Sequence, residues 1–302
     1  MAAGAPVGTD LPVDRAISPL QVLRPADDEA PVLAAGGRAE LLAPDPPLAL
    51  GTPVAGADAP AIWHSFKRGP VTGNFLHELL DALCRESFDL LGNASLRTRI
   101  QARCEREGHG EAAPAMLAWM TDVVQQPLPG PGVSLAGLTS ARSEMEFWLP
   151  SRQIETARID TLCRTHLMAG VERPALQTST LHGMLMGFID LVFEHEGRYW
   201  VLDYKSNALG ADDGAYDSPG LQRSMAEHRY DVQAAIYALA LHRLLKARLG
   251  SAYAPERHLG GAVYLFLRGI HGPAAGACTL EFPAELLQAL DAMLEPAAAQ
   301  AD

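Results

Sequence analysis

The hydrophobic positions of the chain follow two rhythms. From Gly73 onward, Phe75, Leu76, Leu79, Leu80 and Leu83 recur at three- and four-residue intervals, which predicts a helix with Leu90-Leu91-Gly92 as its stop. A second helix is expected from Ala113 to Gln126, ending near Pro127. Ala226 to Leu249 is the strongest helical stretch, with Ile236, Leu239, Ala240 and Leu244 on one apolar stripe and Gly250 as a stop. The two-residue rhythm of a strand is found where Met145, Phe147 and Leu149 alternate with Glu144, Glu146 and Trp148, and Pro150 is expected to end that strand. Met184 to Phe193 and Arg198 to Tyr204 are rich in β-branched, aromatic and aliphatic residues, Gly261 to Leu267 is a short and almost wholly apolar strand, and Pro283 to Leu294 reads as a closing helix. This order of elements predicts an α/β fold, a central mixed β-sheet flanked by helices on both faces. Residues 1–62 repeat Ala, Pro, Gly and Asp without periodicity, and are expected to be a disordered linker ahead of a domain at 63–298.

The two central strands are separated by Glu194-His195-Glu196-Gly197, a hairpin signal. With a two-residue Glu196-Gly197 turn, or a four-residue one, Asp190 falls opposite Asp203 or one diagonal step away on the same face, within about 5 to 8 Å. Parity also puts Lys205 on the face of Asp203, while Tyr204 points the other way and leaves its backbone carbonyl near the carboxylates. Like charges facing each other across strands that are apolar on both faces destabilise the pair unless something neutralises them, and a divalent cation is the simplest neutraliser. Carboxylates and carbonyls are hard ligands, so magnesium, manganese or calcium fits better than a soft transition metal. The competing reading is a surface hairpin with solvated acids, which the apolar strands argue against. Lys205 adds an ammonium that can stabilise a pentavalent phosphate or help deprotonate a water; its alternative is a simple salt bridge. Together these residues read as a metal-dependent phosphodiesterase site.

Other candidates gain weight only from that company. His77 sits inside the first helix and, as a neutral imidazole, could complete a carboxylate-based metal site. Glu144 and Glu146 share one face of their strand and could supply another carboxylate, or be its solvated edge. Gln233 and Tyr237, four residues apart, lie on one face of the long helix and could reach a nucleic acid together.

Composition bounds the picture. The 302 residues, 48% hydrophobic and 20% charged, are enough for a substantial core. No run of about 18 apolar residues or charged-then-apolar leader is present, so a cytoplasmic location is expected. Cys84, Cys104, Cys163 and Cys278 are scattered with no CxxC pair, which argues against zinc knuckles and closely spaced iron–sulfur motifs and predicts buried thiols in a reducing compartment. The net charge of −12 is unfavourable for nonspecific DNA binding, although a local basic groove or bound cations can coexist with it.

The segments GNFLHELLD, MLMGFIDLVFEHEGRYWVLDYKSN, HRYDVQAAIYALALHRLL and GGAVYLFLRG resemble successive parts of the RecB nuclease-domain family, the C-terminal nuclease of exodeoxyribonuclease V beta subunits, over roughly Ser65 to Leu294. That family belongs to the PD-(D/E)XK nucleases, and the resemblance implies a restriction-endonuclease-like fold. It implies metal ligation, by magnesium with manganese or calcium as substitutes, through His77, Asp190, Asp203 and the Tyr204 carbonyl. Asp190, Asp203 and Lys205 are implied as the catalytic set, and Gln233 and Tyr237 as holding DNA; Glu144 and Glu146 match less closely. The implied partners are DNA, RecC- and RecD-like subunits and the RecA recombinase, and no iron–sulfur cluster of the AddB type is expected from these cysteine positions. No GxxxxGK[ST] phosphate loop and no room for motor domains are present, so the chain is expected to be either a piece of a RecB protein or a separately encoded module. The rival functional reading is a noncatalytic module that docks partner subunits or the recombinase. An acidic metal-binding protein without nuclease activity is a third, and it leaves Lys205 without a purpose.

Overall fold

The structure, a computed structural model, describes Gln21–Leu23 and residues 61–294. Of the stretch read as a linker, only residues 21–23 and 61–62 therefore lie among the described residues, and the three near the start form a strand that their composition did not announce.

Within the described residues one mixed sheet is built from β1 (Gln21–Leu23), β2 (Ser140–Glu155), β3 (Thr180–His195), β4 (Arg198–Lys205), β5 (Leu259–Phe266) and β6 (Ala277–Leu280). β3 is the hub. It pairs antiparallel with β2 along one side, and on the other side antiparallel with β4 near its end and parallel with β1 at Leu185–Gly187. β4 runs parallel to β5, and β5 antiparallel to β6. The β3–β4 turn is the two-residue one: His195 pairs with Arg198, and Glu196 and Gly197 both take positive φ, 52° and 77°, as the favoured tight hairpin turns require.

The helices are α1 (Ile62–Ser65), α2 (Pro70–Cys84), α3 (Ala94–Arg106), α4 (Ala113–Gln125), α5 (Thr156–His166), α6 (Ser218–Glu227), α7 (Tyr230–Leu249), α8 (Pro255–His258) and α9 (Ala284–Leu294). They make two separate cores. On one face Leu76, Leu79, Leu80 and Leu83 of α2 pack with Trp119 of α4 against Leu191, Phe193, Leu202 and Leu265. On the other, α5, α7 and α9 pack against Leu185, Ile189, Val201 and Phe266. No helix among the described residues is long and apolar enough to cross a membrane. All four cysteines are free, Cys104 and Cys163 buried and Cys84 and Cys278 half-buried.

Three expectations are corrected. α2 starts earlier than Gly73, with Pro70 in its first turn, and stops at Cys84, before Leu90. Pro150 does not end β2, which runs on to Glu155 with Pro150 in register with Met184; among the described residues β2 pairs only with β3, so its outer side needs no ladder donor there and tolerates proline. The long helix does not start at Ala226: the chain breaks at His228–Arg229, where Arg229 takes a left-handed φ of 55°, and every residue of α7 from Tyr230 to His242 is buried rather than one stripe of it.

A buried ionic cluster holds that break. Asp231, in the first turn of α7, receives Arg173 at 2.8 Å and Arg229 at 3.0 and 3.2 Å, with each of these side chains at most 3% exposed. Arg229 also reaches Asp160 of α5 at 2.7 Å and the Pro174 carbonyl at 2.7 Å. The cluster ties the start of α7 to α5 and to the segment leading into β3, and so sets where the α7 side chains meet the sheet. Removing one partner of a buried pair leaves an uncompensated charge, so Asp231→Ala is expected to lower the unfolding free energy by about 3–5 kcal/mol in urea denaturation. A loss under about 1 kcal/mol would show that the two arginines are rehydrated at little cost.

Candidate active site

Asp190 stands where the alternation of β3 slips. A regular strand keeps every second residue on one face. Here Leu181, Leu185 and Ile189 lie in the core of α5, α7 and α9, whereas Leu191 and Phe193, of the same parity, lie in the core of α2 and α4. β2 slips at the matching place. Glu144, between the pairs Ser143–Leu191 and Met145–Ile189, has a left-handed φ of 51°; beyond it Phe147 and Leu149 face the first core, while the Ser143 hydroxyl donates to Asp81 of α2 at 2.6 Å. The β3–β4 ladder ends beside this slip, at Leu191–Leu202. In place of a backbone acceptor, Asp190 Oδ2 takes the Tyr204 amide at 2.8 Å.

The elements bring together His77, Asp190, Asp203, Tyr204 and Lys205. His77 projects from α2, and its Nδ1 stands 3.4 Å from Asp190 Oδ2. Asp203 and Lys205, two apart on β4, share a face as parity predicts, with Nζ 2.6 Å from Asp203 Oδ2. The Tyr204 ring points to the other face and meets His77 edge-on at 5.9 Å between centroids. Asp190, Asp203 and Lys205 are all buried, so the hairpin is not a solvated one. Glu144 lies in line with Asp190; loss of solvent around its carboxyl, and then the Asp190 charge, raise it above the usual carboxylate range. Glu146 takes no part: it is exposed and accepts from Trp148 Nε1 at 3.0 Å.

Gln233 and Tyr237 arrive on the same face from α7, turned inward. Gln233 Nε2 donates to the Tyr237 hydroxyl at 2.9 Å, and its Oε1 accepts from Lys205 Nζ at 3.3 Å and from the Tyr264 hydroxyl at 3.1 Å. Both are buried: Gln233 meets Lys205 directly, and Tyr237 holds Gln233. Two residues that the sequence pattern did not single out, Tyr230 and Tyr264, also surround that ammonium. A signal existed: a tyrosine inside a wholly apolar strand needs a buried partner for its hydroxyl, and Tyr230, Gln233 and Tyr237 fall three and four residues apart on one helix face.

Charge in this dry space is finely shared. Burial opposes ionisation of Asp190, but the His77 charge and hydrogen bond, the Tyr204 amide and Lys205 hold it below the usual range. Burial pushes Asp203 up to about 6, against the pull of Lys205 and with the repulsion of Asp190. Burial works against the charge on Lys205, and the Asp203 charge and hydrogen bond together with Tyr230 and Asp190 more than offset it, raising the ammonium above its ordinary value. The same contest at His77 is won by Asp190, which lifts the imidazole to about 9.

Among the described residues no three His, Cys, Asp or Glu side chains converge into a ready-made cation cage, because Lys205 and His77 themselves take the carboxylates. The donor chemistry nevertheless fits a hard divalent cation. Asp190 Oδ1 and Asp203 Oδ1 are buried and meet no hydrogen-bond donor, and each such orphan costs on the order of 1–3 kcal/mol unless something fills it.

These features define a nuclease of the PD-(D/E)XK class: a family model described as "PD-(D/E)XK nuclease superfamily" matches residues 56–301, and the chain belongs to that superfamily. Among individual proteins, it is 40% identical over 245 residues to the RecBCD enzyme subunit RecB of Escherichia coli (strain K12), covering 76% of this chain and 19% of that one. It is 32% identical over 278 residues to the RecB subunit of Mycolicibacterium smegmatis, covering 80% of this chain and 25% of the relative. The chain thus spans about a fifth to a quarter of the relatives it matches.

His77 gives a test of this electrostatic arrangement in metal-free protein. Its folded pKa of about 9 lies above the ordinary 6.5, so the stability it lends is complete below about pH 6.5 and is lost as pH rises through 9. In excess chelator the unfolding free energy is expected to fall between pH 7 and 9.5, and His77→Gln to flatten that slope. An imidazole titrating near 6.5 by NMR would contradict the arrangement.

Proposed function

We propose that the chain is a magnesium-dependent deoxyribonuclease that hydrolyses phosphodiester bonds at DNA ends in recombinational double-strand break repair, as the nuclease part of a RecB-type exodeoxyribonuclease V subunit in the cytoplasm. The observation that carries the reading is a pair of buried carboxylates, each with one oxygen lacking a donor, beside a buried ammonium.

Asp190 Oδ1, Asp203 Oδ1, the His77 imidazole and the Tyr204 carbonyl would hold the cation, with Glu144 next in line. A bound divalent cation supplies charge stabilisation at a phosphate oxygen and lowers the pKa of a water. His77 must give up the proton it holds against Asp190 before it can ligate, so metal uptake is coupled to proton release. Lys205 provides a fixed positive charge for the negative charge that develops on the phosphate, and Gln233 and Tyr237 serve the reaction by holding Lys205. RecC- and RecD-like subunits and the RecA recombinase are the proposed partners; they would deliver DNA to a chain whose net charge of −12 does little to attract it.

The purified chain is expected to degrade linear DNA with magnesium, and Asp203→Ala to lose on the order of a thousandfold of that rate, the several kcal/mol a catalytic metal contributes. Equal rates in both proteins, or activity that survives excess chelator, would sink the mechanism.

A further inference from the structure

We propose that Tyr230 and Tyr264 are positioning residues, which hold the Lys205 ammonium in place without cancelling its charge. The reason for the hold rests on the nuclease reading above; the hold itself does not.

A lysine ends in a compact ammonium on a flexible four-carbon stem, and fixing it costs side-chain entropy. Lys205 is nonetheless enclosed. Its Nζ lies 3.9 Å from the centroid of the Tyr230 ring and 5.4 Å from that of Tyr264. The two rings are stacked, with centroids 5.5 Å apart and planes 20° apart. Tyr264 is fully buried on β5 in register with Asp203, so the strand that pairs with the acid also supplies one wall of the lysine's enclosure. Tyr230 comes from the first turn of α7, next to the ionic cluster at Asp231 that sets the helix start.

The hydroxyls lock the remaining wall. Because Tyr264 donates to Gln233 Oε1 and Gln233 Nε2 donates to Tyr237, the amide is oriented with its oxygen toward Nζ. Among the described residues Asp203 is the single carboxylate paired with the ammonium; a second one would quench its field. Ring faces and an amide oxygen attract a cation while carrying no net charge, so they fix Nζ and leave its positive charge available to a phosphate.

The test is a set of Tyr230→Leu, Tyr230→Phe and Tyr264→Phe variants, the first also combined with Lys205→Met. On linear duplex DNA with magnesium, Tyr230→Leu is expected to lower kcat on the order of tenfold with KM changed less than about twofold, in keeping with the removal of a cation–π interaction from a buried site. Tyr230→Phe keeps the ring face and should recover most of that loss, whereas Tyr264→Phe, which frees the Gln233 amide, should lower kcat with KM unchanged. In metal-free unfolding, Tyr230→Leu and Lys205→Met should be non-additive by about fivefold or more in the folding constant. Additive effects in that cycle overturn the hold, as does a Tyr230→Phe variant no more active than Tyr230→Leu. If the wild-type chain cuts no DNA, the nuclease reading falls, and the stability cycle still decides between coupling, which supports the hold, and additivity, which ends it.

Discussion

Everything in this molecule answers to the difficulty of keeping two carboxylates out of water. Asp190 and Asp203 sit where the sheet has helices on both sides, and an isolated buried carboxylate would either take up a proton or unfold its surroundings. The chain meets this by bringing one counter-charge from each side: an imidazole from α2 to Asp190 and an ammonium from the same strand to Asp203. Moving α2 by a turn would take His77 from Asp190, and moving α7 would take Gln233 from Lys205. The ionic cluster at the start of α7 belongs to the same requirement one step out, since it fixes the helix whose side chains enclose the ammonium.

How much of this was legible beforehand depends on the residue. The hairpin could be read because its strands are long apolar runs and its turn carries glycine where a positive φ is needed. Lys205 could be placed on the face of Asp203 because parity across two residues of a strand is nearly inviolable. α3 and α5 were missed because each buries only a thin line of residues, Leu96, Ile100 and Cys104 in one case and Thr156, Ile159, Asp160 and Cys163 in the other. The break at Arg229 was hidden for a different reason: the residue that stops the helix is neither glycine nor proline, and it is its guanidinium that is held, by Asp160 of α5 and the Pro174 carbonyl before β3. The same limit explains Gln233 and Tyr237. Spacing put them on one helix face, but which way that face points is decided by a strand, β5, far away in sequence.

The site also shows how an acidic chain can belong to a superfamily that acts on polyanions. The half-buried His77 and the buried Lys205 are spent on its own carboxylates, so the metal-free centre presents little net charge. Under the proposed function, affinity for a phosphate would come with the cation, which would couple substrate recognition to metal occupancy more tightly than a basic groove would.

The matched slips at Glu144 and Asp190 behave like a dislocation in a crystal. On either side of it β3 gives its side chains to different cores, and β2 changes face at the matching residue. A polar residue set there displaces no apolar side chain of either core, while Asp190 remains tied to α2 through His77. The fold thereby sets its buried acid on a row that adds no apolar contact to either core and is joined to the packing through charge.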